Sequence, residues 1–107
     1  EATRRWRRRN PERVALFARE AERRLRQEML DAYGRQCACC GEVLEVFLTL
    51  DHVNLDGAEH RRRIGSQSGV LRELRRLGWP TDGYRVLCMN CNFAKGHFGS
   101  CPHQTKS

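Results

Sequence analysis

Apolar residues recur at spacings of three and four through the first third of the chain, at Val14, Phe17, Ala18, Ala21, Leu25 and Met29. That spacing predicts one buried stripe on a long amphipathic helix. Asn10-Pro11 offers a cap and a suitable first helical residue, and Gly34 a stop. Arginines and glutamates fill the remaining faces, where pairs such as Glu20 with Arg24 are expected. Between residues 43 and 53 the period changes. Val46, Leu48 and Leu50 alternate with Phe47 and Thr49, a β-branched and aromatic pattern that predicts a strand with Asp51-His52 at its end. Tyr84 to Leu87 reads as a second strand that delivers Cys88. Val70, Leu71, Leu74 and Leu77 form a short helical stripe inside an otherwise turn-rich stretch from Asn54 to Gly83, closed by Trp79-Pro80. Asn92 to Lys95 supplies the first turn of a last helix, which Gly96 is expected to interrupt or end.

A chain of 107 residues fits one α+β domain over 1–107. Its expected parts are a basic arm and helix (1–35), a core (36–100) carrying an insert (54–83), and a tail (101–107). With 39% hydrophobic residues and 31% charged, the core is modest and a staple is expected. The cysteines offer one. Cys37 with Cys40 and Cys88 with Cys91 are two C-x₂-C knuckles, the sulfur set of a closed structural zinc site. Cys39 lacks the spacing, and Cys101 with His103 lacks a matching pair, so these are assigned to ordinary packing and to a tail packed on the domain. Knuckle spacing favours Zn2+ over disulfides. The terminus, Arg4-Arg5-Trp6-Arg7-Arg8-Arg9, resembles no secretory signal, and no stretch approaches the roughly 18 apolar residues of a membrane span. A cytoplasmic, intracellular protein is the expectation, with no membrane partner.

A formal charge of +7 and a pI near 9.6 favour a polyanionic partner, nucleic acid foremost. Arginine supplies nearly all of the positive charge and suits bidentate phosphate contacts. Arg4, Arg5, Arg7, Arg8, Arg9 and the run Arg61-Arg62-Arg63 are the candidate DNA contacts. Between the knuckles lies Asp51-His52, and Asn92 follows the last cysteine. A carboxylate, an imidazole and an amide gathered by one metal staple are the groups that metal-assisted phosphodiester hydrolysis requires.

Cys37-Ala38-Cys39-Cys40-Gly41, Asp51-His52-Val53-Asn54, His60-Arg61-Arg62 and Gly83-Tyr84-Arg85-Val86-Leu87-Cys88-Met89-Asn90-Cys91-Asn92 together resemble the small free-standing HNH endonucleases of bacteriophages. Cys101-Pro102-His103 and Asn10-Pro11-Glu12 extend the likeness over nearly the whole chain. The paired knuckles around Asp-His also resemble phage endonuclease VII. The resemblance implies a zinc-stapled ββα-metal finger that nicks or cleaves double-stranded DNA. His52 would act as general base, while Asp51 and Asn92 would hold a catalytic Mg2+ or Mn2+. Where the common pattern has a middle asparagine this chain has Gly83, and where the pattern has its final histidine this chain has Asn92. The support of His52 must then come from elsewhere. Asn54, as an orienting amide, and His60, as a phosphate contact or proton donor, are the candidates. A monomer is the expected state, and phage packaging proteins are possible partners. The competing expectation is a non-catalytic zinc-ribbon-like DNA-binding or packaging accessory module.

Overall fold

The arginine run that opens the chain is itself helical. The structure, a computed structural model, describes residues 2–105; Glu1 and the last two residues of the expected tail lie outside the described residues. Helix α1 (Ala2–Arg9) buries none of its residues. It ends at Asn10, whose backbone N–H and side-chain amide both donate to the Trp6 carbonyl, at 2.9 and 2.8 Å. Asn10 therefore closes the helix before it and makes no side-chain cap on α2 (Pro11–Tyr33). Only the C-terminal half of the expected stripe on α2 is buried, as Leu25 and Met29 together with Leu30. Phe17 is 59% exposed and stacks on Trp6, with ring centroids 6.0 Å apart. The reason is geometric: α2 is longer than the domain it packs on, and the molecule measures 60 × 28 × 25 Å. Glu20 pairs with Arg23, not with Arg24. Gly34 ends α2 at φ 114°, a backbone angle that glycine tolerates, and its N–H bonds Leu30 O at 2.8 Å.

The first strand is shorter than its alternation suggested. Glu45–Phe47 is a 3₁₀ turn, and β1 covers only Leu48–His52. Two partners explain this. The Arg26 guanidinium of α2 takes the Glu45 carbonyl and, at 2.6 Å, the Leu48 carbonyl. Phe47 N–H turns back to Leu44 O at 3.0 Å. Strand β2 (Tyr84–Cys88) pairs antiparallel with β1 from Leu48 opposite Cys88 to His52 opposite Tyr84. Val46 finds no pairing and stays exposed.

The insert holds two helices. Helix α3 (Gly57–Ile64) occupies a stretch expected to be loop, and Gly65, at φ 111°, stops it. Its inward face carries His60 where a helix pattern asks for an apolar residue, so periodicity could not reveal it. Ser66 then caps α4 (Gln67–Arg76) by accepting the Gly69 N–H at 3.0 Å. Val70, Leu71 and Leu74 are buried, whereas Leu77 lies just past the helix and is exposed. Tyr33 O–H donates to Pro80 O at 2.6 Å and meets Trp79 edge to face, which pins the end of the insert to α2. Helix α5 (Met89–Phe98) continues through Gly96 to Gly99, and α6 (Pro102–Thr105) follows.

Helix α2 packs against α4 and β2, α3 packs against α4, and α5 packs against both strands. The core is Leu25, Met29, Leu30, Leu48, Leu50, Val70, Leu71, Leu74, Val86 and Leu87, continuous with four buried cysteines. The architecture is α+β, mostly helical, around one two-stranded antiparallel sheet. No described helix is long and apolar enough to cross a membrane.

Candidate functional site

The knuckles join the sheet to the helix that follows it. Backbone N–H groups of Cys40 and Cys91 point at the sulfurs of Cys37 and Cys88, each at 3.5 Å, and Ala38 N–H ties the first knuckle to Val86 O at 2.9 Å. The Sγ atoms of Cys37, Cys40, Cys88 and Cys91 lie within 4.8 Å of one another, with Cys40 and Cys88 3.7 Å apart. Zn–S bonds of about 2.3 Å give tetrahedral S···S edges of about 3.8 Å. The four thiols are thus positioned to bind a metal ion, and an all-sulfur set is consistent with structural zinc. Burial pushes the Cys37 thiol up, but backbone donors at Cys40, Cys88 and Cys39 outweigh it and hold the group at about 6. Burial and the crowding of neighbouring thiols push Cys91 up. A bound dication reverses that penalty by stabilising the thiolates.

Asp51 and His52 are consecutive on β1, so their side chains leave opposite faces of the sheet. Asp51 shares its face with Arg85, its register partner, whose Nε donates to Oδ2 at 2.9 Å. Lys95, one turn along α5 from Asn92, donates to both carboxylate oxygens at 3.1 and 2.9 Å and to the His52 and Val53 carbonyls at 3.0 and 3.1 Å. Asp51 and Lys95 are both buried. This anchor fixes the end of β1 onto α5. Asp51 and His52, with Asn92, Gly57, Arg61 and His97, line an open cleft of about 730 Å³ beside β1, between α3 and α5.

His52 turns toward the insert. Its Nε2 lies 2.9 Å from His60 Nδ1, and His60 Nε2 lies 2.9 Å from Glu73 Oε1. The chemistry of these atoms orders the protons. A carboxylate only accepts, so a neutral His60 carries its proton on Nε2 and accepts at Nδ1, and His52 then donates from Nε2. Its lone pair is left on Nδ1. That nitrogen faces Gly57, where a Cβ would sit only 2.9 Å away. Tyr84 closes another side of the ring edge to face, with centroids 5.2 Å apart. Burial, first of all, lowers the His52 pKa below its usual 6.5; His60 and Arg61 push the same way, and Asp56 and Asp51 oppose them. The His60 hydrogen bond, chiefly, lowers the Glu73 carboxyl as well. The product is a neutral imidazole with one fixed, open basic nitrogen. Substituting Gly57 with Ala should push the ring off this geometry and lower any reaction that uses Nδ1 by about 10²-fold, with the fold retained by circular dichroism.

The expected residues fall into distinct groups. Asp51, His52 and Asn92 come together at the cleft. His60 lies not in a loop but buried on α3, with its Nδ1 2.9 Å from His52 Nε2. Asn54 is exposed in the turn after β1, outside the cleft lining, and makes no side-chain hydrogen bond to His52. Arg61 lines the cleft, Arg62 is exposed, and Arg63 donates to Glu73 at 3.3 Å. Arg4, Arg5, Arg7, Arg8 and Arg9 all lie on exposed α1. Glu73, Arg85, Lys95 and Gly57 escaped sequence reasoning. Lys95 had a signal, since three residues after Asn92 it shares that helical face; Glu73 had only its position as the lone acid on an arginine-rich helix.

The donors suit a hard divalent ion in part. Asn92 Nδ2 donates to Leu50 O at 3.4 Å, which commits the amide nitrogen and leaves its oxygen as the ligand atom. Asp51 Oδ1 accepts one bond and keeps a lone pair. Arg85 and Lys95 already offset the Asp51 charge, so ion affinity here is expected to be weak. No protein-family model, curated protein or solved structure matches the chain significantly.

Proposed function

We propose that this chain is a zinc-stapled nuclease of the ββα-metal type that hydrolyses a phosphodiester bond of double-stranded DNA. One observation carries the reading: the Glu73–His60–His52 chain, which leaves a neutral imidazole with its open nitrogen in a cleft lined by Asp51, Asn92 and Arg61. Asp51 and Asn92 would hold Mg2+ or Mn2+, which supplies positive charge to the phosphate oxygen and the departing sugar oxygen. His52 Nδ1 removes a proton from water as that oxygen bonds to phosphorus. The bond from phosphorus to the sugar oxygen breaks, and the leaving oxygen takes up a proton. His60 and Glu73 hold the imidazole in the tautomer this needs and stabilise its charged form once it has gained the proton. His60 replaces the asparagine that the family pattern has at the position of Gly83. Arg61 holds the phosphate across from the base.

One active site in a monomer favours a single nick, since the two strands run in opposite directions. Supercoiled plasmid should be relaxed when Mg2+ or Mn2+ is added and stay intact in chelator. The second reading, a non-catalytic zinc-ribbon-like DNA-binding or phage packaging accessory module, is favoured by the Asp51 ion pairs, which give that carboxylate a structural role. Binding without cleavage at any divalent ion would select it. Comparing four-way junctions with linear duplexes would reveal preference for branched DNA.

The exposed arginines of α1 support a phosphate-tracking arm. Replacing Arg4, Arg5, Arg7, Arg8 and Arg9 with Gln should weaken binding similarly on all sequences and flatten the log K against log salt slope by up to about 4.5, at about 0.9 per phosphate contact. An unchanged slope would place the phosphate contacts elsewhere.

A further inference from the structure

The cysteine and histidine left over by the knuckle pattern converge on the far side of Cys91. Cys101 is buried and follows α5 directly, and α6 carries His103 back over the knuckle. His103 Nδ1 lies 3.2 Å from Cys101 Sγ, 3.4 Å from Cys91 Sγ and 3.8 Å from Cys39 Sγ. All four ligand atoms fall within 4.8 Å of one another. Hydrogen bonding accounts for only part of this, since Gln104 Nε2 donates to Cys39 Sγ at 3.1 Å and the rest falls to His103. A single ring nitrogen has one proton or one lone pair to offer, so it can satisfy one of three thiols and not the group. A tetrahedral zinc ion satisfies all four: bonds of about 2.3 Å to sulfur and about 2.0–2.1 Å to nitrogen give S···N edges of about 3.5 Å. The three observed distances straddle that value.

We propose that Cys39, Cys91, Cys101 and His103 hold a second zinc ion, and that the Cys91 thiolate bridges it to the ion of Cys37, Cys40 and Cys88. The ligand count supports the bridge. Six sulfurs and one nitrogen cannot complete two separate tetrahedra, but with one shared sulfur each ion has four ligands. Charge supports it too. Two thiolates and a neutral imidazole added with one dication bring no further net charge, and the side chains of Arg85 and Lys95 line the shallow depression beside Cys39 and Cys101. Cys91 is buried where its sulfur reaches both groups, whereas the other ligands each serve one. The second ion would fasten α6 and the end of α5 to the first knuckle. It stands apart from the cleft chemistry and does not depend on the nuclease reading.

Native mass spectrometry of the full chain, after dialysis against a weak chelator, should find two zinc ions per chain. Cys101→Ser and His103→Ala should each retain one, because the four-sulfur site keeps all its ligands. One ion in the wild type would overturn the proposal. So would two ions in both variants, since the second would then lie elsewhere. Cadmium-113 NMR of the substituted wild type gives an answer even where a variant fails to fold: two resonances are expected, one from four sulfurs and one from three sulfurs and a nitrogen, and a single resonance overturns the second site.

Discussion

Cys88→Ser should abolish cooperative folding of this chain, not merely weaken it. Cys88 ends β2, occupies the cap position of α5 and contributes one of the four knuckle sulfurs. Structural zinc contributes about 10–16 kcal/mol of apparent binding free energy in small zinc domains, against a total stability of about 5–15 kcal/mol for a typical domain. The apolar core has few large side chains with which to offset such a loss, because half of α2 and all of α1 lie outside it. Strong chelators should therefore unfold the wild type. The check is far-UV circular dichroism with thermal melting, with and without chelator. A cooperative melt retained by zinc-free protein would show that the apolar core suffices. Helix α1 and the exposed half of α2 contribute little to this transition, and their signal should change earlier on heating.

His52→Ala should slow nicking by about 10²–10⁴-fold, the range that a positioned general base supplies, while leaving DNA binding nearly unchanged. The ring is buried between His60 and Tyr84, so some loss of stability accompanies the change; binding and zinc content measured on the same sample separate the two effects. The pH dependence follows from burial. His52 in the folded chain has a pKa below 6.5, so it is neutral and basic at pH 7, and the nicking rate should fall only as pH drops beneath that value. Its effect on stability has the same sign. The unfolded chain binds this proton more readily than the folded one, so the neutral ring's contribution is fully present above pH 6.5 and is lost as pH falls from there through the depressed folded value. Glu73→Gln removes the acceptor that fixes the His60 proton. It should lower the rate and shift the acid limb, an effect that damaged folding alone would not produce.

The sequence announced some of these features and concealed others for physical reasons. Knuckle spacing is a local property, so Cys37, Cys40, Cys88 and Cys91 were legible from the chain alone, as was Asp51-His52 at a strand end. The sulfurs of the second group were not, because Cys39 and Cys101 come together only after α5 turns back at Gly99. Periodicity found α2 but not where its burial stops, since that limit is set by the size of the packed domain and not by the helix. It missed α3, whose inward face uses a histidine in place of an apolar side chain. The support of His52 was hidden for the same reason: His60 and Glu73 sit on two different helices, 13 residues apart, and meet only when α3 packs on α4.

The central claim is that a neutral imidazole at position 52 takes the proton from the attacking water. The most direct measurement is the plasmid-nicking rate of His52→Ala protein in Mg2+ or Mn2+, before and after free imidazole is added, on samples with the zinc content of the wild type. The account predicts a rate at least about 10²-fold below wild type before addition, recovering in part as neutral imidazole enters the cleft. A wild-type rate in the variant without imidazole would contradict it.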